Sequence, residues 1–236
     1  REGTQEEFRR RIAEATIRTR RKDTRLLFPE REVRTERLVP LPEEKEYIDR
    51  ALVAILQFPK LVQITHARTL MSSTWAAAGA FEREAAKPNV SAFLREQLIA
   101  LSRRGREIRN SAKTQAVVTL AQTSASKGQP GRVIVFTQRL ETLRHLEEVL
   151  QGAGFQGKIG IIQGGQPEAN RRAILDFMSE PPGRPILLST DTGAVGLNLQ
   201  AGNIVVNYDL PWNPMVLEQR IGRIQRLGQK ARHVVV

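Results

Sequence analysis

The chain has 236 residues, 40% hydrophobic and 26% charged, a balance that suits a soluble globular protein with room for one large domain or two small ones. It has no cysteine, which rules out disulfides and thiolate metal ligands, and its three scattered histidines (His66, His145, His233) argue against a zinc site. A formal net charge of +12 points to an acidic partner such as nucleic acid. The excess is uneven: residues 1–127 hold 25 Lys+Arg against 16 Asp+Glu, and residues 128–236 hold 12 against 9. No apolar run approaches the roughly 20 residues that span a bilayer, and no signal-peptide core opens the chain, so a cytoplasmic protein without a membrane partner is expected. The first residue is Arg1, and Val234-Val235-Val236 resembles a strand cut short, so a fragment of a longer protein is expected.

Residues 5–27 have the pattern of a charged helix ending in the cationic run Arg18-Thr19-Arg20-Arg21-Lys22-Asp23-Thr24-Arg25. Residues 31–39 alternate charged and β-favouring types, as an exposed or edge strand does. Pro42, Glu43 and Glu44 suit the first turn of a helix over 43–57, with Ile48, Leu52, Ile55 and Leu56 at helical spacing. Helices are expected over 61–86, 90–108 and 111–125, with a break at Lys87-Pro88-Asn89. The Gly- and Pro-containing run 124–131 is a loop and marks a boundary. The predicted organisation is residues 1–40 as linker and strand, 41–127 as a basic helical segment or insertion, and 128–236 as a separate lobe.

After residue 131 strands and helices alternate. Val133-Ile134-Val135-Phe136 is short and continuously apolar, the pattern of a strand buried on both faces of a parallel sheet. A helix over 140–150, a strand over 158–162, a helix over 167–178, strands over 186–189 and 203–207, a helix over 214–227 and a strand from 233 follow. This order predicts an α/β, doubly wound parallel sheet with helices on both faces, whose sites lie at the carboxyl ends of the strands.

Three strand-end loops hold small hydroxyl residues, glycines and amides: Thr137-Gln138, then Ser189-Thr190-Asp191-Thr192-Gly193-Ala194-Val195-Gly196-Leu197-Asn198-Leu199, then Asn207 to Pro214. Such residues let backbone N–H groups approach phosphate oxygens, although glycines after a strand also simply punctuate turns. The run Gln219-Arg220-Ile221-Gly222-Arg223-Ile224-Gln225-Arg226-Leu227-Gly228-Gln229 is denser in cations. Arg223 and Arg226 are three apart and would share the face of a helical turn, an arrangement suited to a polyanion such as a triphosphate. A solvated basic face is the alternative.

In order and spacing these segments resemble the second RecA-like lobe of superfamily 2 helicases, specifically the Swi/Snf-like double-stranded DNA translocases. Residues 133–138 look like motif IV, and Gly164 with Arg171, Arg172 and Phe177 like the segment that follows it. Ser189 to Leu199 look like motif V, Trp212-Asn213-Pro214 like the Trp-Asn-Pro element, and Gln219 to Gln229 like motif VI. Upstream, residues 17–23 with Pro29 resemble the inter-lobe linker, and Ser111-Ala112-Lys113 the family's Ser-Gly-Lys. Ala194 where a second glycine is usual, and Gln225 where a histidine is usual, are similar to the bacterial, RapA-like branch. Residues 60–108 match no familiar pattern.

The resemblance implies ATP with Mg²⁺ held mainly by a first RecA-like lobe, because no Gly-x-x-x-x-Gly-Lys-Ser/Thr loop and no Asp-Glu-x-His-like box occur here. The chain alone is expected to be inactive and to need that lobe as its partner. Arg223 and Arg226 are implied as arginine fingers, with Gln219 bracing them or contacting phosphate. Gly196 and Asn198 would face the ribose, Asn198 being otherwise a turn residue. Thr137, Gln138, Ser189, Thr190 and Lys113 would contact the backbone of double-stranded DNA. Trp212 would lie against the DNA strand, or be a core aromatic under the motif VI helix. The cargo would be a protein complex to be remodelled. Two alternatives stay open: a non-catalytic DNA-binding module working through the basic helices, and the lobe of an RNA helicase. A dehydrogenase is poorly supported, since no Gly-x-Gly-x-x-Gly follows the first strand.

Overall fold

A computed structural model of the chain describes residues 5–15, 28–124, 131–179 and 185–236. The Arg18–Arg25 cluster, the linker-like run 17–23 and most of the loop 124–131 lie outside the described residues, as does the side chain of Phe177. Helix α1 (Gln5–Ala15) accounts for the described part of the expected N-terminal helix. Strand β1 is Glu30–Glu32; residues 33–39 are exposed and outside it, although the Arg34 N–H still donates to the Val236 carbonyl at 2.8 Å. The expected strand over 31–39 is corrected to Glu30–Glu32.

Four helices follow: α2 (Pro42–Ile55), α3 (Lys60–Ser72), α4 (Thr74–Ala85) and α5 (Ala92–Glu107). Helix α2 starts with Pro42 in its first turn, where the missing N–H costs nothing, and Glu44 reaches back to the Leu41 N–H at 3.2 Å. The single helix expected over 61–86 is two. Ser73 is extended (φ −162°, ψ 162°) and its Oγ accepts from the Ala76 N–H at 3.0 Å, capping α4. Tyr47, Ala51, Ile55, Leu70, Phe81, Leu98 and Ile108 form the core of this helical unit.

The α/β lobe consists of α6 (Ala112–Thr123), β2 (Val133–Thr137), α7 (Leu140–Gly152), β3 (Ile159–Ile162), α8 (Glu168–Ser179), β4 (Ile186–Thr190), β5 (Ile204–Asn207), α9 (Pro214–Gly222) and β6 (His233–Val235). The six-stranded sheet has the order β1-β6-β5-β2-β4-β3, every pairing being parallel. Successive side chains of a strand point to opposite faces. Val133 and Val135 pack with Ile186 and Leu188 against α6 and α7, whereas Ile134 and Phe136 pack with Leu187, Val205, Met178 and Ile224 on the other face. This is the expected RecA-like, doubly wound α/β architecture. Val117 and Ala121 place α6 in the sheet's own core, so the lobe's packing begins upstream of residue 128, where the sequence puts the boundary.

The helical unit is fastened to the lobe through α4 and α7. His145 of α7 stacks on Trp75 of α4 with ring centroids 4.4 Å apart and planes 4° from parallel. His145 Nε2 lies 2.8 Å from the Arg109 carbonyl oxygen, which can only accept, so Nε2 carries the proton of a neutral ring. Burial pulls the His145 pKa from 6.5 down to about 4, against the pull of that hydrogen bond. Burial also lowers His66, which lies between Phe58 and Phe81.

These shifts predict an acid-labile junction. Between the folded and unfolded pKa values the unfolded chain binds the extra proton, so the stability due to neutral His145 is complete above pH 6.5 and falls as pH drops toward 4. About 2 kcal/mol is expected to be lost between pH 7.5 and 5, measured as the change in urea-unfolding free energy. His145→Gln should flatten that part of the profile; an unaltered profile would remove the assignment.

Candidate functional site

The candidate residues collect at the carboxyl ends of β2, β4 and β5. Helix α9 is started by Asn213, whose side chain accepts from the Met215 N–H at 3.0 Å, followed by Pro214 at the first helical position. It ends at Gly222, so the helix expected to run to 227 is shorter. Arg223 and Arg226 lie in the turns that follow, not on a helical face. The two still act on each other. Burial first, and then the Arg226 charge, draw Arg223 below the usual arginine value, while Asp191 opposes this. Two guanidiniums that repel each other in one turn gain from an anion placed between them. Arg226 is exposed, with its Nε donating to the Gly222 carbonyl at 2.8 Å.

Arg226 shares a cleft of about 550 Å³ with Asn198, Gln200, Gly222, Gln225 and Leu227. Asn198 is held in place: Nδ2 donates to Gln200 Oε1 at 2.8 Å, and Oδ1 accepts from the Gln200 N–H at 3.1 Å. Gln200 in turn bonds the Leu227 carbonyl. The motif V loop and the turn after α9 are thus tied side to side. Gly196 has φ +77°, a conformation that other residues adopt only with strain. Gly193 serves close approach: a Cβ there would lie 2.6 Å from the Ile162 carbonyl oxygen. Gln219 is exposed on α9.

The residues expected to hold DNA fare differently. Thr137 is fully buried; its Oγ1 donates to Asp209 Oδ2 at 2.8 Å and accepts from the Arg139 N–H at 3.3 Å. Ser189 is also buried, donating to the Thr190 carbonyl at 3.0 Å, and Thr190 Oγ1 accepts from the Gly193 N–H at 3.1 Å. Lys113 directs its Nζ at the carbonyl oxygens of Met71 (2.5 Å), Ser72 (3.4 Å) and Tyr208 (3.3 Å), and burial lowers its pKa. In this arrangement these four side chains brace loops through the protein's own polar groups. Gln138 is half-buried at the same rim, its N–H bonded to both carboxylate oxygens of Asp209 at 3.0 Å. Trp212 is 76% exposed, which removes the core-aromatic alternative.

A hub that the sequence does not announce joins these parts. Arg220 is 2% exposed. Its Nε and Nη2 fork onto the Asp191 carboxylate at 2.6 and 2.9 Å. Its Nη1 donates to Asn207 Oδ1 and to the Asp209 carbonyl, each at 3.0 Å. One guanidinium therefore fixes α9 to the loops after β4 and β5. Asp209 Oδ2 also accepts from Ser72 Oγ at 2.8 Å. Because Ser72 must donate to a carboxylate, Thr142 donates to Ser72 and Ser73 to Thr142, a relay from the helical unit into the hub. The available sequence signal is Arg220 lying beside Leu217, Ile221 and Ile224, the apolar stripe that α9 and its following turn bury.

Among the described residues no group of three His, Asp or Glu side chains is placed to hold a metal ion. No helix among them is long and apolar enough to cross a membrane.

Comparison with known proteins agrees with this geometry. Residues 112–228 match the helicase conserved C-terminal domain. The chain is 31% identical over 225 residues to an uncharacterised ATP-dependent helicase, YqhH, of Bacillus subtilis, a match covering 93% of this chain and 39% of that protein. It is 39% identical over 100 residues to the RNA polymerase-associated protein RapA of Proteus mirabilis, covering 42% of this chain and 10% of RapA. It is 32% identical over 123 residues to a mouse SWI/SNF-related regulator of chromatin, subfamily A member 1, covering 51% of this chain and 11% of that one. The chain thus spans well under half of these relatives. The crystal structure of the C-terminal part of the Fun30 ATPase domain shares the fold, with a TM-score of 0.61 at 16% identity, covering 88% of this chain and 85% of that one. The chain belongs to the superfamily 2 helicases, as the conserved C-terminal, RecA-like lobe of a Swi/Snf-like member.

Proposed function

We propose that this lobe works with a first RecA-like lobe as an ATP-dependent translocase on double-stranded DNA, moving along the duplex to remodel a bound protein complex. The observation that carries the reading is Arg226, exposed in a cleft with Asn198 and beside a second, electrostatically coupled guanidinium, Arg223. ATP would lie between the lobes, with its ribose toward Asn198 and the Gly196 turn. Arg226 and Arg223 would neutralise charge as water attacks the γ-phosphorus and the bond to the β-phosphate oxygen breaks, and Gln219 would brace that turn. Mg²⁺ would be held by the first lobe. Duplex contacts fall to Trp212, Gln138 and backbone N–H groups of the strand-end loops, which position a duplex without reading its sequence.

Cleft closure would be transmitted through Arg220, because it ties the helix that leads into the finger-bearing turns to both loops. The deciding experiment measures ATP turnover of the two-lobe protein with duplex DNA, single-stranded DNA, RNA or no nucleic acid. Stimulation by duplex alone is expected. Stimulation mainly by RNA would move the protein to the RNA-helicase branch. No turnover under any condition would leave a non-catalytic DNA-binding module, working through the basic helices.

A further inference from the structure

We propose that the helical unit extends the duplex-binding surface, with Arg68 of α3 gripping a phosphate beside the exposed Trp212. This rests on the duplex reading above.

The two residues come from separate units, and residues 60–108 carry no motif that assigns them a task. The Arg68 guanidinium carbon lies 6.0 Å from the centroid of the Trp212 ring. Both side chains are exposed, so the pair is not a core contact that happens to cross the junction. A buried cation–π pair would be desolvated and structural, whereas an exposed one holds little energy and leaves both groups available. Gln138 and Arg139 line the same groove. Asp209, which lines the groove, is engaged with Thr137, Ser72 and Gln138, and Glu218, also in its lining, with Arg31 at 3.0 Å. Among the described residues no carboxylate lies within ion-pair distance of Arg68, whereas Arg139 acts on the Glu141 carboxylate.

An exposed indole under one guanidinium, in a groove that a second guanidinium and an amide also line, is the chemistry of a nucleic-acid rim. The ring packs against sugar or base, the guanidiniums take phosphates, and the amide donates or accepts. Arg68 also replaces what Lys113 loses. Lys113 points inward to carbonyls that include Met71 and Ser72, at the end of the helix that carries Arg68 outward. The same helix delivers Ser72 to the Asp209 hub, so a duplex held by Arg68 is anchored to the rigid junction and not to a loose appendage.

The test measures duplex binding by the two-lobe protein across a salt series, for wild type, Arg68→Ala and Arg68→Lys. Arg68→Ala is expected to weaken duplex binding several-fold and to lower the slope of log affinity against log salt by about 1, the value for one lost phosphate contact. Arg68→Lys should keep the slope. Turnover of ATP at saturating duplex and the unfolding midpoint should stay at wild-type values in both. An unchanged slope in Arg68→Ala, with wild type binding duplex normally, overturns the proposal, as does an equal loss in Arg68→Lys, which would mark Arg68 as a brace shaped around Trp212. A wild-type protein that does not bind duplex fails the translocase reading itself, an outcome separate from either variant's behaviour.

Discussion

Replacing Arg226 by alanine in the two-lobe protein is expected to lower ATP turnover at least tenfold while leaving duplex affinity nearly unchanged. Arginine fingers elsewhere are worth roughly 10³–10⁵ in rate, because a fixed guanidinium meets charge that develops only in the transition state. The split between the two readouts follows from placement. Arg226 lines the cleft with Asn198 and Gly222, whereas Trp212, Gln138 and Arg68 line a different groove. Arg226→Lys keeps the charge but loses the planar fork, so it should recover only part of the rate. Turnover within a factor of about two of wild type in Arg226→Ala would sink the finger assignment, since that amounts to less than about 0.5 kcal/mol of transition-state stabilisation.

Most of the lobe's architecture is legible in the sequence because its strands are short, apolar and bounded by turn residues. Val133–Thr137 and Ile186–Thr190 are buried throughout, as continuous apolar runs in a parallel sheet should be. What fails are features decided by tertiary partners. Nothing local marks the break at Ser73, since Ser-Thr-Trp-Ala contains neither glycine nor proline; the hydroxyl interrupts the helix because it finds the Ala76 N–H and Thr142. Of the strand expected over 31–39, the pairing with β6 involves residues 30–32, which nothing local in the alternating run singles out.

The site divides the same way. Asn198 and Arg226 fall together, although 28 positions separate them in the numbering, because the chain order of the loops after a parallel sheet fixes which strand ends are neighbours. Thr137, Ser189, Thr190 and Lys113 turn to internal partners, which the sequence does not foretell, for a physical reason. A hydroxyl or ammonium at a strand end satisfies a phosphate or an internal partner equally well, and only the fold decides which is within reach. Asp209 and Asp191 are invisible as partners until Arg220 is seen to turn inward, since an arginine in a basic run is ordinarily solvated.

That inward arginine carries the other large effect. Arg220→Met should destabilise the protein by about 3 kcal/mol, at the low end of the range for breaking a buried ion pair. The low end applies because the Asp191 side chain is 30% exposed, so water can resolvate the carboxylate left behind. Asp191→Asn tests the opposite half of the pair. It leaves Arg220 buried with the Asn207 and Asp209 oxygens and with the Asp209 carboxylate 3.7 Å away, so part of its compensation survives. Combining the two changes should cost less than the sum of the single losses, because the second removes a charge that the first has stranded. Urea unfolding of the four proteins in this cycle measures the coupling, and strictly additive losses would dissolve the pair as an energetic unit. ATP turnover supplies the functional arm. With Arg220 gone, α9 is no longer pinned to the loops after β4 and β5, and turnover should fall even at temperatures where the variant is fully folded. A folded Arg220→Met protein with wild-type turnover would mean that the fingers are placed by the backbone turns after Gly222 alone, and that the guanidinium serves stability only.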